Sequence, residues 1–285
     1  MTRNGSCAAT KSPMVFIDTD PIFTQVKLLR GDIKFRRQVD AHDVHFTYAE
    51  CLADPLIGTG HHWRPTRAPV VLAEWSPVAR GRDVFTTIMN WTSYKAEEYG
   101  GQTYGQKDME FQRFLDLPSM VAPAVLELAI GPGENEPTPY DLLRSKGWRL
   151  VDPTDVCPDV DSFRSYTQSS KAEWSVAKNG YVVGRSGWFS ERSARYLASG
   201  RPVVVQDTGF TAVLPAGEGI LAFTTLEEAA AGIIEVESHY ARHAKAARAI
   251  AEAYFDSDKI LGQLIDEALR ADVAQQAIGW GEGTP

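Results

Sequence analysis

The stretch SGWFSERSARYLASGRPVVVQDTGF, residues 186–210, carries the signal that decides the fold. A loop containing Gly187 leads into a helical pattern that ends at Gly200, and Pro202 then begins an apolar run typical of a strand. Ser190 suits the N-cap of this helix, and Gly200 suits the position just past its end. A helix that leads directly into a buried strand is half of a βαβ unit, the building block of parallel sheets.

The same alternation repeats from about Val84 onward. Strands separated by helical patterns of about 10–15 residues predict βαβ units and a doubly wound parallel sheet of the Rossmann-like α/β class. Such sheets bind ligands outside the carboxyl ends of their strands, so the loops that follow the strands matter most for function. The predicted strands lie in VFTTIMNW, APAVLELAIG, WRLVD, AEWSVAKNGYVV, PVVVQ and GILAF.

The two ends of the chain differ from this central part. Residues 1–80 predict strands in MVFIDTDP, VHFTYAECL and PVVLAEW around the charged segment KLLRGDIKFRRQVDAHD. The last part of the chain contains the amphipathic pattern ILGQLIDEAL, which predicts a helix followed by a tail. We therefore divide the chain into a partial N-terminal α/β segment (1–80), a Rossmann-like domain (81–255) and a C-terminal helix with its tail (256–285).

Composition excludes several function classes. The net charge is −8 and the basic residues are scattered, which argues against a nucleic-acid binder. The three cysteines lie far apart, without the spacing of a metal site or a disulfide framework, and this suits a reducing cytoplasm. No apolar run approaches the roughly 20 residues of a membrane span, and the N-terminus lacks the apolar core of a signal peptide. These features predict a cytoplasmic location.

Two loops after predicted strands bring phosphate-binding chemistry together. The helix that begins at Ser190 would present free N–H groups and its positive dipole end to a strand-end crevice, which suits a phosphate. Arg185 and Arg192 would add positive charge near the helix start. A capped helix and an ordinary turn are the alternative that spacing alone leaves open. The second loop follows PVVVQ and consists of Asp207, Thr208 and Gly209.

These motifs resemble a known family. ERSARYLASGRPVVVQDTGF, followed by LPAGEGILAF and TLEEAAAGI, is similar to the donor-binding half of GT-B glycosyltransferases. A bacterial group of these enzymes resembles the chain from about Val15 to Leu269, including DTDPIFTQ, WRPTRAPVVL and SKAEWSVAKNGYVV. The resemblance implies a Rossmann-like donor domain and a last helix that crosses back to the N-terminal segment. It also implies transfer of a sugar from a nucleoside-diphosphate sugar to an unknown acceptor.

The resemblance further implies how the leaving diphosphate is stabilised. GT-B enzymes use a helix N-terminus and basic side chains for this purpose, so neither a metal nor another cofactor is expected. By position, the helix start at Ser190 with Arg192 is the first candidate. Lys107, at the start of the helix after the first donor-domain strand, is the second. Lys171 and Lys178 are weaker candidates.

Other roles implied by the resemblance concern the ribose and the donor sugar. Glu191 is the candidate for the ribose hydroxyls, and Asp207 with Thr208 for the sugar. Many GT-B enzymes carry two glutamates eight positions apart, and those positions are Gly187 and Arg195 here. Glu191 lies one turn before the second of them, so it departs from that pattern.

The N-terminal segment contributes possible acid–base groups. The DTD motif at residues 18–20 is similar to the metal-binding D-x-D motif of GT-A glycosyltransferases, but Pro21 follows it directly, and a strand-end turn or an acceptor-side wall is preferred. An inverting enzyme needs a base near the acceptor hydroxyl, whereas a retaining enzyme does not, and the sequence does not decide between them. The candidates for such a base are Asp18, Asp20, His45, His42 and Glu50.

The resemblance begins partway through the relatives' N-terminal domain, so we expect the first part of that domain to be missing. This leaves a second function class open, namely a nucleotide-sugar-binding or partner-dependent module without turnover of its own. An incomplete sheet would expose an edge and apolar surface. We therefore expect self-association or a partner through residues 14–80, in addition to the nucleotide sugar and the acceptor.

Overall fold

The structure, a computed structural model, describes residues 12–52, 58–79 and 81–279. Its first part is a small parallel sheet of three strands in the order β1-β2-β3. Two helices connect the first strand to the second. The elements are β1 (Val15–Asp18), α1 (Pro21–Leu29), α2 (Ile33–Asp40), β2 (Val44–Thr47) and β3 (Trp63–Pro65).

The residues between β1 and β2, which include the charged segment, form α1 and α2, with the side chains of Val26 and Val39 buried. One sequence expectation for this part is wrong. Residues 69–75, expected as the third strand, form turns with an isolated bridge from Val70 to Asp256. Val70 and Trp75 pack into the core beside Phe255, so their apolar character reflects burial against the larger domain and not a place in a sheet.

The larger part begins after residue 81 and alternates strands with helices. Its elements are β4 (Val84–Asn90), β5 (Glu97–Tyr99), β6 (Gln102–Tyr104), α3 (Lys107–Phe111), α4 (Leu117–Met120), β7 (Val125–Gly131), α5 (Tyr140–Ser145), β8 (Arg149–Val151), α6 (Pro153–Val156), α7 (Val160–Ser169), β9 (Ala172–Ser175), α8 (Asn179–Val183), α9 (Glu191–Ala198), β10 (Val203–Gln206), β11 (Ile220–Phe223), α10 (Leu226–Ser238), α11 (Tyr240–Tyr254) and α12 (Ser257–Gly279).

Six of these strands form one parallel sheet in the order β11-β10-β9-β4-β7-β8. The chain starts in the middle at β4, builds outward through β7 and β8, and then returns to β9 on the other side of β4. The strand order therefore reverses between β4 and β9, and ligands bind doubly wound sheets at the carboxyl ends beside such a switch point. The predicted α/β class with a Rossmann-like parallel sheet is confirmed.

One predicted strand is shorter than expected. In AEWSVAKNGYVV only Ala172–Ser175 is extended, and Asn179–Val183 forms helix α8. This helix packs against α1, and a side chain at Gly180 would overlap the ring of Phe23 at 2.9 Å. The strand end that faces the ligand side of the sheet is therefore Ser175 and not a residue near Val183.

Apolar layers cover both faces of the six-stranded sheet. One core contains Phe111, Trp148 and Trp174, and the other contains Tyr196 and Phe255. Helix α12 packs across β2, where buried Val44 and Phe46 meet Ala268 and the partly buried Leu264. Within the part of the chain that the structure describes, no helix combines the length and apolar character that crossing a membrane requires.

Candidate functional site

A cleft of about 320 Å³ lies where the carboxyl ends of the two sheets approach each other. The loops after β1 and β2 form one wall, and the starts of α3 and α9 with the loop after β9 form the other. This is the switch-point edge of the six-stranded sheet. The lining residues are Thr19, Asp20, Tyr48, Lys107, Lys178, Tyr181, Trp188, Ser190, Glu191 and Arg192.

Helix α9 points its N-terminus into this cleft. Ser190 is the N-cap, as predicted, and its Oγ accepts a hydrogen bond from the backbone N–H of Arg192 at 3.3 Å. The first amides of an α-helix have no partner within the helix, and the dipole adds partial positive charge at the same end. The cleft therefore presents backbone donors suited to an anion.

Lys107 adds a basic side chain at the first position of α3. Among the residues that the structure describes, no carboxylate pairs with Lys107 and no acceptor takes a hydrogen bond from its Nζ. Burial lowers the pKa of Lys107 well below its usual value, and the positive charges of Arg192 and Lys178 lower it further, while the charge of Glu173 opposes these effects. An anion in the cleft would relieve both effects.

Arg192 is held more firmly than the sequence suggested. Its Nε donates to Glu173 Oε1 at 2.6 Å, and its Nη1 donates to the carbonyl of Ile88 at 2.9 Å. Ile88 lies in β4 and Glu173 in β9, so this guanidinium bridges the two strands at the switch point. Glu173 is fully buried and neutralises much of the charge of Arg192. Arg192 lines the cleft, yet Lys107 is the less compensated cation.

Lys178 forms part of a polar cluster that joins the two walls. Its Nζ lies 3.2 Å and 3.3 Å from the two carboxylate oxygens of Asp20 and donates to the hydroxyl of Tyr94 at 2.6 Å. The hydroxyls of Tyr94 and Tyr181 also donate to Asp20. Burial lowers the pKa of Lys178, while Asp20 opposes that effect. Asp20 therefore lines the cleft as predicted, but with three donors already around its carboxylate.

A buried network positions the two lysines. Glu110 of α3 accepts a hydrogen bond from Asn179 at 2.8 Å and another from the side chain of Gln206. Gln206, at the end of β10, also accepts from the backbone N–H of Ala177 at 3.1 Å. These contacts tie the helix that carries Lys107 to the loop that carries Lys178. Glu110 and Gln206 were not identified from the sequence.

The loop after β10 serves a structural purpose in the described contacts. Asp207 accepts from the N–H of Gly209 at 2.9 Å and from Thr211 Oγ1 at 3.2 Å. Thr208 Oγ1 donates to the carbonyl of Trp188 at 2.5 Å. Gly209 adopts φ +97, in the left-handed region. These residues fix the loop beside the cleft, and Thr208 lines a narrow recess next to it.

The loop before α9 is equally constrained. Gly187 has φ +73 and donates its N–H to the carbonyl of Thr208 at 2.9 Å. A Cβ at Gly187 would lie 2.9 Å from the backbone nitrogen of Cys51, so only glycine fits between these segments. Arg185 is also left-handed, at φ +42, and its side chain is 66% exposed and 3.9 Å from Asp207.

Two charged candidates behave differently from one another. Glu191 lines the mouth of the cleft, is 58% exposed and lies 3.6 Å from Arg195. Burial, with the charge of Glu191 close by, raises the pKa of Tyr48 on the opposite wall.

Lys171 lies at the other edge of the sheet, just before β9, where its Nζ is 2.9 Å from Asp83 and pairs with Glu237. The prediction that Lys171 contacts the donor is wrong, because the strand places it at the amino end.

His45 is not part of the cleft lining. It occupies the middle of β2, where its Nε2 is 3.0 Å from the carbonyl of Val39 and its ring packs 4.8 Å from His61 and 5.5 Å from Trp63. Burial lowers the pKa of His45. Side chains alternate along a strand, and His45 falls on the face opposite Phe46. This placement does not support a catalytic role.

Asp18 lies behind the cleft. It is 2% exposed and accepts hydrogen bonds from Thr47 Oγ1 at 3.0 Å, from Gln25 Nε2 at 3.4 Å and from the N–H of Asp20 at 3.1 Å. Burial raises its pKa to about 6. Asp18 therefore supports the loop that carries Asp20. The other candidate bases are also engaged elsewhere, Glu50 with Arg67 at 2.5 Å and His42 with the carbonyl of Gln38 at 2.9 Å.

Some residues of the site could have been found from sequence and others could not. Tyr48 lies within the stretch VHFTYAECL that predicted a strand and follows the observed β2, and Glu173 is a charge inside an otherwise buried strand, so both gave a usable signal. Tyr94 and Tyr181 are brought together only by the tertiary fold. Within residues 12–52, 58–79 and 81–279, no group of three or more His, Cys, Asp or Glu side chains is arranged to hold a metal ion.

The fold is that of GT-B glycosyltransferases. HepE of Anabaena, in its complex with UDP-glucose, superimposes with a TM-score of 0.61 and 14% identity, covering 91% of this chain and 72% of HepE. Sucrose-phosphate synthase of Thermosynechococcus elongatus gives a TM-score of 0.55 and 13% identity, covering 90% of this chain and 68% of that protein.

Sequence comparison is less informative. No family model matches the chain. Phosphoribosylamine–glycine ligase of Halalkalibacterium halodurans is 25% identical over 120 residues, which is 42% of this chain. The match spans only 27% of the length of that ligase.

Proposed function

We propose that this chain is a glycosyltransferase that moves a sugar from a nucleoside-diphosphate sugar to an acceptor hydroxyl without a metal ion. The observation that carries the proposal is Lys107, a cation in the cleft without a described anionic partner, beside the N-terminus of α9. The switch-point position and the GT-B fold support it. The HepE structures contain UDP and UDP-glucose, which makes UDP the first nucleotide to test.

In the proposed reaction the bond between the anomeric carbon and the phosphate oxygen breaks, and its electron pair stays on the diphosphate. Lys107 and the amides at the start of α9 stabilise that growing negative charge, which is where a fixed electrostatic environment lowers a barrier most. The acceptor oxygen bonds to the anomeric carbon, and its proton passes to a base on the acceptor side. Of the five candidate bases that the sequence offered, Asp20 lines the cleft and is the one we retain for the acceptor side.

Direct binding measurements test the donor site. We expect calorimetry with UDP, TDP and GDP to detect binding of one or more nucleotides, with the same affinity in the presence of EDTA. Lys107→Ala should weaken that binding by about 10–100-fold, since a hydrogen bond to a charged group contributes about 1.5–3 kcal/mol. The matched control is Lys245→Ala, because Lys245 is exposed on α11, away from the cleft.

Three outcomes would count against the proposal. Loss of binding in EDTA would mean that a metal carries the diphosphate. Equal losses in Lys107→Ala and Lys245→Ala would mean that the cleft is not the site. No binding of any of the three nucleotides would remove the donor altogether.

Turnover separates the transferase from the binding module. Release of free nucleotide from the matching nucleotide sugar, dependent on a hydroxyl acceptor or on water, supports an enzyme. Binding without release under any of those conditions favours a partner-dependent module. We keep the division at residues 80 and 255, and self-association through residues 14–80, as proposals. Ile17 and Ile33 are exposed apolar residues in that segment.

A further inference from the structure

Trp188 is an aromatic residue of the cleft whose role the proposed reaction does not yet explain. Its indole stacks on the ring of Tyr181, with ring centroids 4.3 Å apart and an interplanar angle of 23°. Tyr181 is buried at 2% exposure, whereas Trp188 is half-buried and lines the cleft. The indole is therefore supported from behind and leaves part of its surface available to a ligand.

The backbone holds this indole in place. The N–H of Trp188 donates to Ser186 Oγ at 3.3 Å, and its carbonyl accepts from Thr208 Oγ1 at 2.5 Å. The preceding Gly187 has the left-handed conformation that the contact with Cys51 requires. An indole that already stacks on Tyr181 and extends from this ordered backbone loses little conformational entropy when a ligand binds, which favours recognition.

The chemistry around Trp188 suits a pyranose ring. A sugar ring has a face of C–H groups, which are attracted to the negative face of an aromatic ring, and a rim of hydroxyls. Within the described residues, no acceptor takes a hydrogen bond from Trp188 Nε1, so this donor is available to a hydroxyl. Thr19, Asp20 and Tyr48 supply further polar groups in the same cleft.

The position of Trp188 favours the donor's sugar over its base. Trp188 lies two residues before the N-cap of α9, next to the proposed diphosphate site. Its partner Tyr181 donates a hydrogen bond to Asp20, which belongs to the acceptor-side wall. The group that is transferred must lie between the diphosphate and that wall. Resting on the proposed function, we propose that Trp188 is the stacking platform for the hexose of the nucleotide sugar.

Paired ligands isolate this contribution. Calorimetry would compare UDP, TDP and GDP with UDP-glucose, TDP-glucose and GDP-glucose for the wild type and Trp188→Ala. We expect the variant to bind the nucleotide sugar about tenfold more weakly and to change the affinity for the bare nucleotide less than twofold. The reason is that an aromatic contact contributes about 0.5–1.5 kcal/mol in addition to the contribution of its buried area. Trp188→Phe should recover most of the loss.

Controls distinguish the failure of each idea. Trp63→Phe changes an indole outside the cleft and should leave both affinities unchanged. Thermal unfolding of each variant checks that the loop has kept its fold. Equal weakening of nucleotide and nucleotide sugar by Trp188→Ala would overturn the sugar assignment in favour of the base, with the proposed function intact. No effect on either ligand would overturn it as well. No nucleotide binding by the wild type would remove the proposed function and this inference together.

Discussion

The two edges of the six-stranded sheet treat buried charge in opposite ways. At the amino edge, the carboxylate of Glu127 is 3% exposed, pairs with Arg82 and accepts from Tyr166 at 2.8 Å. Lys171, at the same edge, lies 2.9 Å from Asp83. Every charge named here has a protein partner, as a purely structural site requires.

At the carboxyl edge the balance is incomplete. Among the described residues, Lys107 has no carboxylate within ion-pair distance, although the charge of Glu173 acts on it from farther away. The N-terminus of α9 adds donors at the same place. Leaving a lysine without an ion-pair partner does not stabilise the fold, so a ligand site is the role that we propose for Lys107. The paired charges at the amino edge contribute to stability instead.

The largest expected effect is at the amino edge. Glu127→Ala should lower the free energy of unfolding by about 3 kcal/mol, because it leaves Arg82 and the hydroxyl of Tyr166 without their shared acceptor. Urea unfolding measures the loss. Nucleotide affinity, measured on the folded variant, should not change.

The matched control is Glu98→Ala, which removes an exposed carboxylate from β5. We expect its effect on stability to stay within about 0.5 kcal/mol. A Glu127→Ala variant as stable as this control would show that the stability of the amino edge does not depend on its buried pairs. A loss of nucleotide affinity in folded Glu127→Ala would show that the amino edge takes part in binding.

A second prediction uses the buried carboxyl at the end of β1. The pKa of Asp18 is raised from 3.8 to about 6 by burial. The native state therefore binds its proton more tightly than the unfolded chain does, and stability falls as the pH rises from about 4 through 6. The unfolding free energy of the wild type minus that of Asp18→Asn should decrease by about 2–3 kcal/mol between pH 4 and pH 7.

Taking this difference removes any effect of the substitution that does not depend on pH. Asp141→Asn is the control, because the Asp141 side chain is fully exposed. Its difference from the wild type should be flat over the same range. A flat difference for Asp18→Asn would show that Asp18 titrates normally. In that case the buried carboxylate at the end of β1 would not lower the stability of the protein at neutral pH.

The parallel sheet and the helix start at Ser190 were predictable because they depend on local periodicity and capping. The apolar runs form β4 and β7 as predicted, and α9 begins after Ser190 and ends just before Gly200. The strand prediction for Asn179–Val183 is wrong. Val182 and Val183 favour a strand locally, whereas the packing of Gly180 against Phe23 favours a helix. That contact joins distant parts of the chain, and periodicity does not report it.

The site was less predictable than the fold for a related reason. The family resemblance identified Lys107, and position near strand ends identified Arg192 and Asp20; all three line the cleft. Neither showed that Glu173 already pairs with Arg192, or that Lys178 already pairs with Asp20. His45 was a candidate by residue type alone, and the pleat of β2 turned it away. Which charge remains unpaired depends on tertiary contacts, and that property separates Lys107 from its neighbours.

The smallest expected effect sharpens the comparison at the carboxyl edge, because one position can separate capping from ligand binding. Ser190→Ala removes the cap and should lower the unfolding free energy by about 1 kcal/mol. Ser190→Asp keeps a capping oxygen and should stay within about 0.5 kcal/mol of the wild type, since aspartate caps as well as serine. Its negative charge, however, occupies the space proposed for the diphosphate. We expect Ser190→Asp to bind the nucleotide about tenfold more weakly than Ser190→Ala. Urea unfolding and calorimetry measure the two quantities separately. If Ser190→Asp bound nucleotide as well as Ser190→Ala, the anion would not lie at the start of α9, and the unpaired charge of Lys107 would need another explanation.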